Sequence, residues 1–238
     1  MAGAVALVGA GEFLPLMAEV DRRLLEATGA RRPRVAIVPT ASYPDGPVVF
    51  RRWADAGVAH FRSLGAEVEA VLVRDAVDAD DPAYAQAVGE ADLVYFSGGK
   101  PTYLLRTLVG SAVWRAALAA HARGAVLAGS SAGAMVLAAR QPRLRRRLPV
   151  FVAWDRGLGL VPGIAVLPHY DRVPEPVAAL LALQAPRGCL VVGLDEDTAM
   201  VGRNGAWQVY GRARVTVWRG RRRWRYRAGD VFRFDEGR

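Results

Sequence analysis

The sequence predicts an α/β fold, because short apolar segments with β character recur along its 238 residues and stretches of helical periodicity separate most of them. The β-like segments are residues 4–8, 34–38, 67–72, 93–96, 125–128, 164–167 and 189–194. The helix-like stretches are residues 14–27, 48–64, 82–90, 102–109, 112–122 and 176–185. This alternation favours a mainly parallel sheet with helices on both faces. Ligands of such sheets collect beyond the carboxyl ends of the strands.

The pattern changes after Asp197 to short strands separated by turn signals such as Asn204-Gly205. No repeat, low-complexity run or linker sets this part apart. We therefore expect residues 198–238 to form an antiparallel β-meander that extends the same sheet, and residues 1–238 to form a single α/β domain.

Composition restricts the class of protein. The chain is 52% hydrophobic and 23% charged, as in a folded soluble protein, and no apolar run is long enough to cross a bilayer. Its apolar start has no basic leading segment, which favours a first buried strand over a signal peptide. We therefore expect a cytoplasmic location. Cys189 is the only cysteine, so an internal disulfide is excluded. Gly9-Ala10-Gly11 lacks the third glycine of a dinucleotide fingerprint, and we expect neither a cofactor nor a metal.

The net charge of +9 comes almost wholly from arginine. The arginines concentrate at Arg143, at residues 145–147 and over residues 212–227, where they alternate with apolar and aromatic residues. That alternation is typical of the solvated face of a β-hairpin, and a polyanion site is the alternative. We therefore expect neither nucleic acid nor a membrane as the partner; a homodimer stays open.

Ser131 is the most informative residue. It lies in Gly129-Ser130-Ser131-Ala132-Gly133, between an apolar strand-like segment and a helix-like one that runs over residues 135–139. This is the sequence form of a nucleophile elbow, a sharp turn that exposes the serine hydroxyl. Ordinary strand–helix packing gives similar runs, so a general base must be found to support the hypothesis.

Only one of the three histidines is well placed to be that base. His60 and His121 lie inside helix-like stretches, which favours a structural role. His169 follows the strand-like residues 164–167, so we expect it on the same rim as Ser131.

A carboxylate is needed to orient the imidazole. Asp195-Glu196-Asp197 follows the next β-like segment, and along an extended backbone either one of the three or the outer two can face the histidine. Asp155 is a rival, but the short interval from Ser131 to His169 favours the order Ser, His, Glu with Glu196 as the third member.

An oxyanion hole is expected from backbone N–H groups. Ala132 begins the helix after the elbow, and the Gly98-Gly99 pair ends the strand at residues 93–96. A plain strand–helix turn at these glycines is the alternative.

With these motifs assembled, the chain resembles the serine peptidases that include dipeptidase E and cyanophycinase, which have a class I glutamine amidotransferase-like fold. The motifs that carry the resemblance span nearly the whole chain: Gly9-Ala10-Gly11-Glu12, Phe96-Ser97-Gly98-Gly99, the elbow, Gly157-Leu158-Gly159-Leu160, Pro168-His169-Tyr170 and Gly193-Leu194-Asp195-Glu196-Asp197. The resemblance implies Ser131 as nucleophile, His169 as base, Glu196 as third member, and N–H groups of Gly99 and Ala132 in the oxyanion hole.

The substrate-binding residues depart from these relatives. Lys100-Pro101 and Leu167-Pro168 stand where cyanophycinase-like sequences have polar pairs, which disfavours cyanophycin as the substrate. Lys100, the only lysine, is a candidate for pairing with a substrate carboxylate, and Tyr170 is a second candidate for substrate binding. We therefore predict a serine peptidase for small peptides, among them aspartyl dipeptides. An esterase or amidase with the same triad, and a non-catalytic binding protein, are the alternatives.

Overall fold

A computed structural model describes residues 1–143 and 152–234. Residues 145–147 of the arginine-rich segment lie outside the described residues. The strands are β1 (Val5–Val8), β2 (Arg34–Val38), β3 (Glu67–Ala70), β4 (Leu93–Phe96), β5 (Val126–Ser130), β6 (Ala138–Arg143), β7 (Ala153–Arg156), β8 (Val161–Leu167), β9 (Leu190–Leu194), β10 (Thr198–Arg203), β11 (Ala206–Gly211), β12 (Arg214–Arg219), β13 (Arg222–Arg227) and β14 (Val231–Arg233). The helices are α1 (Ala18–Ala27), α2 (Pro47–Ser63), α3 (Ala76–Ala79), α4 (Pro82–Gly89), α5 (Pro101–Leu108), α6 (Ala112–Arg123), α7 (Ala132–Leu137) and α8 (Glu175–Leu183), with 3₁₀ turns at Pro15–Met17, Thr40–Asp45 and Tyr170–Arg172.

The helix ends follow local signals in the sequence. Asp81 accepts a hydrogen bond from the Ala83 N–H at the start of α4, and Ser111 accepts one from the Trp114 N–H at the start of α6. These side chains satisfy N–H groups that have no acceptor within the helix. Gly124 ends α6 with φ +122°, a conformation that glycine adopts without strain.

The first sheet has the strand order β14-β11-β10-β1-β5-β4-β2-β3. Strands β1, β5, β4, β2 and β3 are parallel to one another, and β10, β11 and β14 continue the sheet from β1 in antiparallel pairs. The carboxyl ends of β1, β5 and β4 therefore lie side by side at one edge, where the elbow and the double glycine follow.

A second sheet has the order β13-β12-β9-β8-β6-β7. Within it β8 pairs in parallel with β6 and β9, and the other pairs are antiparallel. The α/β class is thus confirmed, but the expectation of one mainly parallel sheet is wrong, since the strands divide between two mixed sheets. The C-terminal strands are antiparallel as predicted, yet they extend both sheets.

The chain passes from the first sheet to the second directly after the elbow. The helical stretch predicted over residues 135–139 ends at Leu137, and Ala138 adopts an extended conformation that begins β6. Ala138 and Leu137 are fully buried. Small apolar residues are compatible with either a helix or a strand, so periodicity alone did not reveal the change.

The core is organised by the alternation of side chains along the strands. One face of the first sheet, with Ile37 and Tyr95, packs against α1 and α2. Its other face, with Leu7 and Phe96, shares a cluster with Ile164 of the second sheet. The far face of the second sheet packs against α8. Leu104 of α5 and Trp114 of α6 lie in the cluster on the Leu7 and Phe96 face, so helices cover both faces of the first sheet, as expected.

The second arginine cluster forms the β12–β13 hairpin that its alternation predicted. Val217 pairs with Trp224, and Val215 pairs with Tyr226. The arginines of β13 are exposed. Across the described ranges 1–143 and 152–234, no helix combines the length and apolar character that a bilayer crossing requires.

Candidate active site

Ser131 lies between β5 and α7 in a strained backbone conformation, with φ 48° and ψ −107°. Positive φ is uncommon for a residue with a side chain and persists only where the surroundings enforce it. The Ser131 N–H donates to the carbonyl oxygen of Val8, 3.0 Å away. A Cβ at Gly129 would lie 2.5 Å from the backbone of Gly133, and a Cβ at Gly133 would lie 2.2 Å from the carbonyl oxygen of Phe96. The two glycines therefore permit the close packing that holds the turn.

His169 reaches Ser131 from the second sheet. It follows β8 in a left-handed conformation with φ 50°, and its Nε2 is 3.0 Å from Ser131 Oγ. Its Nδ1 is 2.6 Å from Glu196 Oε1. Because β8 and β9 are parallel neighbours, their carboxyl ends bring His169 and Glu196 together. The three side chains thus form a hydrogen-bonded series whose members come from two sheets.

Glu196 is the one member of the acidic triplet that faces the histidine. Its Oε2 accepts a hydrogen bond from Arg172 at 2.7 Å, and its N–H donates to Asp171 Oδ1 at 2.9 Å. Asp195 instead accepts hydrogen bonds from Arg214, and burial raises the pKa of its carboxyl. Of the two expected arrangements, the structure shows the one in which a single carboxylate of the triplet faces the histidine, and that carboxylate is Glu196.

The rival carboxylate and the other histidines lie elsewhere. Asp155 is on β7 and binds the guanidinium of Arg143, with Nε 3.0 Å away, which lowers the pKa of the aspartate. His60 Nε2 is 2.8 Å from the buried Asp21. His121 Nδ1 is 3.0 Å from the carbonyl oxygen of Ala125.

The double glycine is divided between two roles. The N–H of Gly98 donates to Glu12 Oε1 at 2.8 Å, so it is engaged within the protein and not directed to an oxyanion. Gly99 adopts φ +140°, and a Cβ there would lie 2.3 Å from the carbonyl oxygen of Ala41. In residues 1–143 and 152–234, no acceptor is found for the Gly99 N–H. The expectation that Gly98 donates to an oxyanion is thus corrected, while the assignment of the Gly99 and Ala132 N–H groups to an oxyanion hole stays a prediction.

The two candidates for substrate binding differ in exposure. Lys100 has a side chain that is 60% exposed, and its Nζ is 3.1 Å from Asp45 Oδ1. Tyr170 is only 8% exposed; its hydroxyl accepts a hydrogen bond from Trp218, and its ring packs where a Cβ of Gly193 would be. The expectation that Tyr170 contacts substrate is therefore not met, because the ring is buried in the cluster that the second sheet forms with α8.

Two polar residues beside the series were given no role from the sequence, although Glu12 stands in the Gly9-Ala10-Gly11-Glu12 motif. Arg172 binds the outer oxygen of Glu196, and Glu12 binds both Gly98 and Ser130. Their spacing along the chain gave no signal for these contacts. The sequence did show Glu12 as an acidic residue at the end of an apolar first strand, which is an unusual place for an unpaired charge. Within the described ranges, no group of three or more histidine, cysteine, aspartate or glutamate side chains is arranged to hold a metal ion.

Comparison with known proteins identifies the class of protein. A cyanophycinase from Geminocystis herdmanii (strain PCC 6308) is 28% identical over 222 residues, which cover 90% of this chain and 79% of the relative. A cyanophycinase from Trichormus variabilis is 27% identical over 224 residues, covering 90% and 72%. The crystal structure of a peptidase from an acI-B1 Actinobacterium is 34% identical, has a TM-score of 0.87 and covers 98% of both chains.

A protein from Listeria monocytogenes EGD-e that is assigned to peptidase E shares the fold, with a TM-score of 0.62, 18% identity, and coverage of 90% of this chain and all of that one. The model of peptidase family S51 matches residues 5–210. The chain belongs to peptidase family S51, and the protein is a serine peptidase, as the motifs predicted.

Proposed function

We propose that Ser131, His169 and Glu196 form the catalytic triad of this serine peptidase and that it hydrolyses small peptides through an acyl-enzyme. One observation carries the proposal: Ser131 Oγ lies 3.0 Å from His169 Nε2, and His169 Nδ1 lies 2.6 Å from Glu196 Oε1. These are hydrogen-bond distances between nucleophile and base and between base and orienting carboxylate.

Each residue has one task in the reaction. Ser131 Oγ attacks the carbonyl carbon of the scissile amide while His169 Nε2 takes the hydroxyl proton. The developing oxyanion is held by the N–H groups of Gly99 and Ala132. His169 then gives its proton to the leaving amine, and a water molecule, deprotonated by His169, releases the acyl group from Ser131. Glu196 holds the Nδ1–H of His169 and stabilises the imidazolium.

For the substrate class we propose peptides with an acidic N-terminal residue. Lys100 lies one residue beyond the oxyanion loop at the start of α5, with its side chain largely in solvent. It can exchange its ion pair with Asp45 for one with a substrate carboxylate. The net charge of +9 favours the approach of acidic compounds, and the two cyanophycinases are family relatives.

The proposal is tested by covalent labelling with a rhodamine fluorophosphonate. We expect labelling of the wild-type protein, loss of labelling in Ser131→Ala, and unchanged labelling in Ser63→Ala, a matched control at an exposed serine on α2. Peptide mapping of the labelled protein then gives the modified residue. A folded wild-type protein that takes up no label, or a label on another serine, contradicts the triad.

The substrate is tested with dipeptides that differ only in the N-terminal residue, which is aspartate, leucine or arginine. We expect the highest kcat/KM for the aspartyl dipeptide. Equal hydrolysis of all three contradicts the substrate class but leaves the triad, which labelling tests separately.

A further inference from the structure

Glu12 is a buried carboxylate to which the proposed triad gives no task. It follows β1 and is 6% exposed. Its Oε1 accepts a hydrogen bond from the N–H of Gly98 at 2.8 Å, and its Oε2 accepts one from Ser130 Oγ at 2.7 Å. Removing a carboxylate from water is costly unless it is hydrogen-bonded, and here each oxygen has its own donor. These two hydrogen bonds therefore offset part of the cost of burying the Glu12 carboxylate.

These contacts connect the three strand ends that form the site. In the first sheet β5 lies between β1 and β4. From the end of β1, Glu12 binds the end of β5 through Ser130 and the loop after β4 through Gly98. Ser130 directly precedes the nucleophile, and Gly98 directly precedes the residue that we assign to the oxyanion hole. One side chain thus joins the nucleophile to the oxyanion loop.

The packing around Glu12 leaves little room for either segment to move. A Cβ at Gly98 would lie 2.6 Å from Glu12 Oε1 and 3.4 Å from Ser131 Cβ. On its other side the loop is held by Ala41, whose carbonyl oxygen accepts the N–H of Lys100 at 2.6 Å. The oxyanion loop is therefore fixed from two directions, by Glu12 and by Ala41.

We propose that Glu12 is a positioning residue: its carboxylate sets the distance between the Ser131 hydroxyl and the Gly99 N–H. This inference rests on the proposed function for the roles of Ser131 and Gly99. A displacement of about 1 Å at a reacting centre costs on the order of 10²-fold in rate. The positive φ of Ser131 must also be enforced by its surroundings, and the bond from Glu12 to Ser130 contributes to that restraint.

Two substitutions separate hydrogen bonding from other effects of Glu12. Glu12→Gln keeps an acceptor oxygen for the Gly98 N–H, and its amide N–H can donate to Ser130, because a hydroxyl accepts as well as donates. Glu12→Ala removes both bonds. We expect Glu12→Ala to lower kinact for the rhodamine fluorophosphonate by about 10²-fold with KI within about threefold of the wild-type value. Glu12→Gln is expected to stay within about tenfold, and Glu69→Ala, at an exposed glutamate on β3, is the control.

Hydrogen exchange of the backbone amides of residues 97–99 gives a second readout that does not depend on activity. We expect faster exchange there in Glu12→Ala and near wild-type exchange in Glu12→Gln. If Glu12→Ala does not fold, Ser130→Ala, which removes only one of the two bonds, is measured in its place.

The outcomes are distinguishable. Unchanged exchange and an unchanged kinact in the folded Glu12→Ala protein overturn the positioning role, and so does an equal loss of kinact in Glu12→Gln and Glu12→Ala. A wild-type protein that takes up no label overturns the proposed function instead, and the exchange rates then still decide whether Glu12 holds the loop.

Discussion

Replacing Glu196 with glutamine changes which nitrogen of His169 carries the proton. In the wild-type protein Glu196 Oε1 accepts from Nδ1, and Oε2 accepts from Arg172 at 2.7 Å. A guanidinium is only a donor, so the glutamine will turn its single oxygen to Arg172 and its NH₂ group to His169. Nδ1 must then accept, which leaves Nε2 protonated and unable to take the Ser131 proton.

The magnitude follows from this tautomer. In serine hydrolases, exchange of the orienting carboxylate for an amide lowers kcat by about 10⁴-fold, which is about 5.4 kcal/mol of transition-state stabilisation. We expect a loss of the same order for Glu196→Gln here, because Arg172 opposes the amide orientation that would keep the correct tautomer. Arg172→Ala alone should cost less than tenfold, since the arginine is 70% exposed and exposed ion pairs contribute little.

The double variant tests the physical reason. Without Arg172 the amide oxygen can turn to Nδ1, so Glu196→Gln with Arg172→Ala should be at least about tenfold faster than Glu196→Gln alone, by the tautomer argument. The assay is the second-order rate of fluorophosphonate labelling at Ser131, with Asp155→Asn as a control that should remain near the wild-type rate. A Glu196→Gln protein within tenfold of wild type, or a double variant slower than the single one, refutes the reasoning.

Four further predictions concern residues around the site. His60→Ala should lower the free energy of unfolding by about 3–5 kcal/mol in urea titrations, because Asp21, fully buried, loses its partner; no measurable loss contradicts this. Burial raises the pKa of Asp21, so the folded protein binds the proton of this carboxyl more tightly than the unfolded chain does. The wild type should therefore lose stability relative to Asp21→Asn as pH rises from about 4, where the unfolded carboxyl ionises. Parallel curves of stability against pH for the two proteins would count against this prediction. Gly193→Ala should lower stability by about 1–3 kcal/mol and slow labelling, because the added methyl group would lie 2.2 Å from the Tyr170 ring next to His169; an unchanged melting temperature contradicts it. Lys100→Met should raise KM about fivefold for an aspartyl dipeptide and leave a leucyl dipeptide unchanged, as expected for one exposed ion pair; equal effects on both contradict a role in substrate binding.

Local patterns predicted most of the elements of the fold. Every β-like segment named from the sequence forms a strand, because buried strands in an α/β protein are short, apolar and bounded by turn residues. The division into two sheets was not predictable in this way. The chain crosses to the second sheet at the change from α7 to β6 at Ala138, where neither helical nor strand periodicity is distinct.

The candidate site was also predicted only in part from the sequence. Residue type and position at strand ends selected Ser131, His169 and Glu196 from the sequence, since the chemistry of a serine nucleophile requires a base and an orienting carboxylate. The chain interval favoured Glu196 over Asp155, and the structure agrees: Glu196 lies at His169 Nδ1, whereas Asp155 binds Arg143.

The sequence by itself determined the α/β class, the peptidase family motifs and the residues able to perform the chemistry, because these depend on local periodicity and residue type. Only the tertiary structure decided that the nucleophile and the base come from different sheets, that Gly98 is bound to Glu12, and that Tyr170 is buried. Those facts depend on contacts between residues far apart in the chain, such as Glu12 and Ser130, which are 118 positions apart. No local pattern records such distances, because packing in three dimensions sets them.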